Sequence, residues 1–196
     1  VDINTKQDVV VVAVQAAGYN DKGLVAVLDY DGNLLQALEA GAQPDNIVVT
    51  PDQDKILVAN EGEPRLGYDA GTEDPMGSVT VIDISNGVEK ATSVNVTFES
   101  YDSKREELVA DGVILKKDTA PSLDLEPEYI AVSSDSKYAY VALQENNAIA
   151  TIDLSENSVT SVKSLGVKDH SVESNAIDLL KDNKIEITTQ DVYGIY

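Results

Sequence analysis

The chain has 196 residues and a mass of 21.0 kDa, and its 35 Asp and Glu against 14 Lys and Arg give a formal net charge of −21. The lack of cysteine excludes a disulfide framework, a thiolate metal site and a cysteine nucleophile, and the single histidine excludes a multi-histidine metal cage. The charge opposes phosphate backbones and anionic lipid, so neither nucleic acid nor direct membrane insertion is expected of this segment.

A hydrophobic fraction of 42% is ordinary globular usage, which argues against disorder despite the charge. The longest apolar stretch, Val9–Val14, is too short to span a bilayer. The first residue is Val1, with no charged-then-apolar leader after it, which suggests a processed product with any targeting segment removed.

In chain order, short apolar runs alternate with turn residues. Val9–Val14 comes first, then Leu24–Leu28, then the turn Asp31-Gly32-Asn33 before Leu34-Leu35. Asp-Gly between apolar runs is a hairpin signal, because Gly accepts positive φ. Ile47–Val49, Ile56–Ala59 and Val79–Ile82 follow, rich in the β-branched residues that suit a pleated sheet.

These runs repeat. Pro44-Asp45-Asn46-Ile47-Val48-Val49-Thr50-Pro51-Asp52 matches Pro127-Glu128-Tyr129-Ile130-Ala131-Val132-Ser133-Ser134-Asp135. Each is followed by a Lys, Lys55 or Lys137, then by an apolar strand and a further strand ending in Asp83 or Asp153. Asp29 ends the corresponding strand near the N-terminus. Four short strands per unit of roughly 40 residues are the pattern of a β-propeller blade.

The expected fold is therefore all-β, a partial β-propeller of about three four-stranded antiparallel blades with one short helical insertion. Blade 1 occupies 1–43 without its leading strand, blade 2 occupies 44–98, an insertion covers 99–123, blade 3 occupies 124–166, and 167–196 opens a further blade. Within the insertion, Asp102–Ala110 suggests a helix capped by Asp or Ser and stopped by Gly112. Gly62–Met76 is a long loop, and Lys184–Thr189 is expected to be a strand. Complete propellers have about four to eight blades, so three leave open faces: the chain is expected to be an N-terminal fragment of a longer protein, with self-association through open blade edges as a consequence, and association of copies or a different sheet assembly are the alternatives.

The motifs Val58-Ala59-Asn60-Glu61-Gly62-Glu63-Pro64-Arg65, Asp74-Pro75-Met76-Gly77-Ser78-Val79, Leu125-Glu126-Pro127-Glu128-Tyr129-Ile130 and Leu143-Gln144-Glu145-Asn146-Asn147-Ala148 carry a family resemblance. So do Lys168-Asp169-His170-Ser171 and Val192–Tyr196. The chain resembles the choice-of-anchor I family of bacterial surface proteins, related to mesenchyme-specific cell-surface glycoproteins, some of whose members are labelled alkaline phosphatase-like. The resemblance implies an exported propeller, extracellular or on the cell surface, and no settled activity. Members often have Gly where this chain has Gln53 in its turn.

Acidic residues at strand ends are the candidate site. Glu61, Glu63, Glu126, Glu128 and Glu145 would converge near the axis of a radial array, with Glu145 in the place of Glu61. Such carboxylates repel unless neutralised, and calcium, a hard cation taking six to eight oxygens, fits them, with Asn60, Asn146 and Asn147 adding neutral oxygens. Solvated loop acids are the plainer alternative.

Asp29–Asn33 resembles the start of an EF-hand loop, but Ala40 stands where its last glutamate belongs, so a hairpin turn is expected. Asp29, Asp83 and Asp153 are expected to bond turn amides. His170, the only imidazole, lies in Asp169-His170-Ser171, which holds the residue types of a triad without its geometry. Arg65 either clamps a carboxylate or phosphate or pairs with Glu61 or Glu63.

The leading functional expectation is a non-enzymatic binding or scaffold module that meets a surface ligand or protein. The alternative is a calcium-dependent phosphoesterase in which His170 or Arg65 contacts phosphate.

Overall fold

In the computed structural model, residues 1–65, 67, 74–191 and 193–195 are described, the last three by their backbone alone. Four strands form the first sheet in sequence order: β1 (Asp2–Asn4), β2 (Val9–Val14), β3 (Lys22–Asp29) and β4 (Leu34–Ala42). The second holds β5 (Pro44–Val49), β6 (Lys55–Asn60), β7 (Ser78–Asp83) and β8 (Thr92–Thr97). An insertion follows, with a 3-10 turn at Glu99–Lys104, α1 (Arg105–Asp111) and α2 (Pro121–Asp124). The third sheet holds β9 (Tyr129–Val132), β10 (Tyr138–Leu143), β11 (Ala148–Asp153) and β12 (Ser158–Ser164). Each is an antiparallel meander, as a propeller blade is.

The sheets stack face to face. Val9, Val11, Val25 and Val27 of the first pack with Ile47, Ile56, Val58 and Ile82 of the second. On the other side of the second sheet, Leu57, Ala59, Val79 and Val81 pack with Ile130, Ala139, Val141 and Ile152 of the third. Neighbouring residues on a strand point to opposite faces, so Ile56 and Leu57 are both fully buried, one in each interface. A sheet covered on both faces needs a continuous apolar run, which Ile56–Ala59 supplies. The outer sheets alternate instead, as in β10, because one face of each is uncovered.

The leading strands β1, β5 and β9 lie side by side across the stack, and bonds link sheet to sheet beside them. Val49 N–H donates to Asp2 (2.7 Å) and Ile130 N–H to Asn46 (3.0 Å). The sheets do not close into a ring.

Four sequence expectations need correction. Blade 1 does have a leading strand, the three-residue β1, paired with β2 through Ile3 and Val10. The repeat is in strict register: Val132 pairs with Ala139 as Val49 pairs with Ile56. Tyr138, not Lys137, therefore stands where Lys55 does, and both close the turn by accepting from the residue five before, Thr50 or Ser133. It follows that Gln144, not Glu145, matches Glu61.

The insertion helix begins at Arg105 rather than Asp102. Asp102 instead accepts from the Ser122 amide (2.8 Å) and hydroxyl (3.0 Å), tying the 3-10 turn to α2, while Gly112 ends α1 at φ 100° as expected. Finally, Lys184–Thr189 is not a strand: Thr188 makes one isolated bridge to Ile177, and the strand pair here is β13 (Val167–Asp169) with β14 (Tyr193–Ile195). Most of the Gly62–Met76 loop lies outside the described residues; its described part has no helix or strand.

Candidate functional site

The ends of the second and third sheets meet where β5 and β9 begin and β6 and β10 finish. Gly77 allows the closest approach there. A Cβ at Gly77 would lie 2.1 Å from the Leu125 carbonyl oxygen and 3.0 Å from that of Glu61, so only glycine lets the β6–β7 loop press against the entry to β9.

Asn146 braces that entry. It accepts from Glu126 N–H (3.0 Å) and donates to the carbonyls of Asp124 (2.7 Å) and Ile114 (3.0 Å). Gln43, at the equivalent place before β5, donates to the Glu63 carbonyl (2.6 Å), and Glu61 N–H donates to the Gln43 carbonyl (3.0 Å).

These braces gather the carboxylates into one electrostatic neighbourhood. Glu126 is only 5% exposed, and among the described residues no side chain donates to its carboxyl group. Burial pushes its pKa up to about 8, helped by the charges of Glu145, Glu63, Asp124 and Asp74. Glu128 is pushed up to about 7 by burial, by the charges of Glu145 and Glu61, by a hydrogen bond with Glu145, and by Asp45. Burial also raises Asp124, against the Lys116 amide that donates to it. Burial raises Asp74 as well, and its Oδ1 is buried without a partner among the described residues.

Arg65 is the cation at the edge of this group. Its guanidinium meets Glu61 at 2.8 Å and Glu63 at 2.8 Å, and its Nε also reaches Gln43 (3.3 Å). Glu61 is nevertheless raised, because burial outweighs the Arg65 bond. Arg65 thus pairs with two of the carboxylates, while burial and neighbouring charges raise the pKa of Glu126 and Glu128.

All five predicted glutamates thus belong to one cluster, which Asp45, Asp74 and Asp124 enlarge. Asp45 was legible as the residue after Pro44, as Glu128 follows Pro127. Among the described residues, however, no three acidic or histidine side chains are grouped to hold a metal ion. Asn60 and Asn146 are committed to strand-end hydrogen bonds, Asn60 to Gly41 N–H and the Ser78 carbonyl. Asn147 donates to the Gly166 carbonyl (2.7 Å), and its buried Oδ1 has no partner among the described residues.

The other candidates lie apart from the cluster. His170 Nδ1 sits 2.5 Å from the Asn175 carbonyl oxygen, which makes it the donor, while Asp169 accepts from the Ser171 amide (2.9 Å) and hydroxyl (2.7 Å). Histidine and aspartate each serve a turn, and no Ser–His–Asp relay forms. Asp29 likewise accepts from the Asp31 and Asn33 amides, so Asp29–Asn33 is a hairpin turn. A cleft of about 270 Å³ between α1 and β12 is lined by Tyr101, Lys104 and Lys163 and by none of these glutamates.

The family model for the choice-of-anchor I domain matches residues 1–196. No curated protein matches the chain. Among solved structures, the chain is similar to Kuenenia stuttgartiensis hydrazine synthase, at 14% identity and TM-score 0.55, over 83% of this chain and 48% of that one. It also matches the Pseudomonas aeruginosa periplasmic gluconolactonase PpgL at 19% identity and TM-score 0.46, over 84% of this chain and 39% of that one. The β-propeller domain of the trilobed protease from Pyrococcus furiosus matches at 13% identity and TM-score 0.40, over 81% and 40%.

The chain spans less than half the length of these proteins, and at such identities the likeness concerns fold alone. Nothing in these matches carries the glycoprotein or alkaline phosphatase-like names. With its three propeller-type sheets and a family match from end to end, the chain belongs to the choice-of-anchor I domain family.

Proposed function

We propose that the chain is a bacterial cell-surface β-propeller module with a scaffold or binding role, and that its acidic strand ends face the ligand. Family membership supports the surface location, and no helix among the described residues is long and apolar enough to cross a membrane. The observation that carries the ligand side is the convergence of Glu61, Glu63, Glu126, Glu128 and Glu145 at one end of the stacked sheets.

Calcium is the ion we assign to this surface, because every donor is an oxygen and the site lacks sulfur and imidazole. The carboxylates are not pre-grouped as a cage, so calcium has to draw them together and displace the protons of Glu126 and Glu128. Affinity is therefore low below pH 7 and rises through the pKa of Glu126, about 8. The alternative, a calcium-dependent phosphoesterase, has no specific observation in its favour: Arg65 is engaged by two glutamates and His170 faces a backbone carbonyl.

Calorimetric titration of calcium on either side of pH 8 tests the proposal. Expected are proton release on binding and a melting temperature raised by calcium only at the higher pH. Absence of both heat and thermal shift on both sides would overturn the calcium assignment and leave the scaffold role.

A further inference from the structure

We propose that the groove between the insertion and the edge of β12 binds an extended peptide, which adds to the third sheet as a further strand and carries an acidic side chain. Every residue of this groove lies between Asn95 and Lys163, at the junction of the second and third sheets, and none is one of the clustered glutamates.

Strand β12 is at the edge of its sheet, bonded to β11 on one side. The cleft of about 270 Å³ beside α1 is lined by Thr160, Ser161, Val162 and Lys163 in succession. Neighbouring residues on a strand point to opposite faces, so a cleft lined by consecutive residues runs along the strand's edge, within reach of its backbone. A second cavity, of about 430 Å³, adjoins the start of the same strand at Asn157, Ser158 and Val159. From Asn157 to Lys163 the edge runs about 20 Å, the reach of a hexapeptide.

The backbone at this edge has an unmet need. Leu165 N–H donates to the Asn147 carbonyl (2.9 Å), which sets the alternation along the β11–β12 ladder. Lys163 and Ser161 bond toward β11, while Ser164 and Val162 turn their N–H and C=O groups outward. Ser164 N–H meets the Asp111 carboxylate (3.3 Å), which stands in for a neighbouring strand. Val162 has no such partner among the described residues, and it is only 4% exposed, so little water reaches it. An outward N–H and C=O on one edge residue are what another backbone strand pairs with.

Side chains around the groove define the rest of the ligand. Tyr101 is 7% exposed, and its hydroxyl makes no hydrogen bond among the described residues. Lys104 Nζ lies 4.5 Å from the centre of the Tyr101 ring and has no ion pair among the described residues, in a chain with 35 acidic side chains. A ligand carboxylate supplies that partner. In the adjoining cavity the Oδ1 of Asn157 is buried without a partner among the described residues and suits an amide donor. A saccharide offers hydroxyls to side chains, whereas this groove presents the backbone of a sheet edge, which favours a peptide.

Titration of the isotope-labelled chain with the peptide acetyl-Thr-Val-Glu-Val-Thr-Val-amide, followed by backbone amide NMR shifts, tests the proposal. Saturable shifts centred on Val162 and Ser158 are expected. N-methylation of one alternate set of peptide amides should weaken binding roughly tenfold or more, and methylation of the other set should leave it nearly unchanged, because only one edge of the added strand faces β12. Tyr101→Phe and Lys104→Gln should each weaken binding about two- to fivefold, and Lys104→Gln should matter little for the peptide with Gln in place of Glu. Neither group bonds another side chain, so both variants should melt near the parent temperature. No shift at these amides, equal sensitivity or equal indifference to the two methylated sets, or shifts produced by an oligoglucuronate and not by the peptide would each overturn the proposal.

Discussion

The two ends of the sheets treat the same chemical group in opposite ways. At the turn end, bonds from Asn33, Ser85, Ser133 and Ser155 hold Asp29, Asp83, Asp135 and Asp153 below the usual carboxylate range. Asp52 is partly desolvated, yet bonds from Thr50 and Asp54 outweigh that and lower it too. At the loop end, burial raises Glu61, Asp74, Asp124, Glu126 and Glu128. A tight turn brings its own hydroxyl and amide donors within a few residues of the acid. The loop end packs segments from different sheets together and brings several acids with few donors.

The largest way to break this contrast is to remove the brace of the loop end. Asn146→Ala deletes two buried hydrogen bonds and one part-buried one, leaving the Asp124 carbonyl and the Glu126 amide without these partners in the interior and the Ile114 carbonyl without its own nearer the surface. Each unpaired buried group costs about 1–3 kcal/mol, and partial relaxation brings the expected total to roughly 2–4 kcal/mol, read as a loss in chemical denaturation.

Next in size is the pH response. Glu126 and Glu128 hold protons to about 8 and about 7, whereas the unfolded chain releases them near 4.5. Between those values unfolding releases protons, so stability falls as pH rises. One pKa unit is about 1.4 kcal/mol, and Glu126 alone contributes on the order of 2–4 kcal/mol across the interval. Glu126→Gln copies the protonated form, and denaturation midpoints should show a gain above pH 8, little change below pH 5, and a flatter slope between. An unchanged slope in this variant would show that Glu126 titrates normally.

Much of this architecture was legible in the sequence, because blades repeat and each strand pair carries its own turn. Pro44 with Asp45 and Pro127 with Glu128 marked two equivalent strand entries. The strand β1 escaped because three residues with one apolar member, Asp2-Ile3-Asn4, show no periodicity; only pairing with β2 defines it. The register slipped because Lys55 and Lys137 both follow the turn aspartate, while backbone pairing matches Lys55 with Tyr138.

The five glutamates were legible as strand-end acids. The raised pKa of Glu126 was not, because its burial comes from contacts between distant segments, among them the approach of Gly77 to Leu125. Gln53 shows the same limit. Its φ of 61° is the left-handed conformation that glycine favours, and its side chain offsets the strain by accepting from the Thr5 hydroxyl (2.9 Å) and the Lys6 amide (2.8 Å) of the turn between β1 and β2.

The smallest predicted effect mirrors Glu126→Gln and separates the two ends most directly. Asp83 accepts from the Ser85 amide (2.9 Å) and hydroxyl (2.6 Å) through one oxygen, which Asn can supply without the charge. Because its folded pKa is lowered, its charge stabilises the fold above 3.8, and this is lost as pH falls. The side chain is 42% exposed, so solvent screens the effect, and Asp83→Asn should cost less than about 1 kcal/mol at neutral pH. Below pH 3 the variant and the parent should melt alike. Two carboxylate-to-amide changes on one chain are thus expected to differ in sign, Glu126→Gln stabilising on the alkaline limb and Asp83→Asn destabilising everywhere except the acid limb. If both shifted stability in the same direction at pH 8, net charge rather than local donors would govern the two ends.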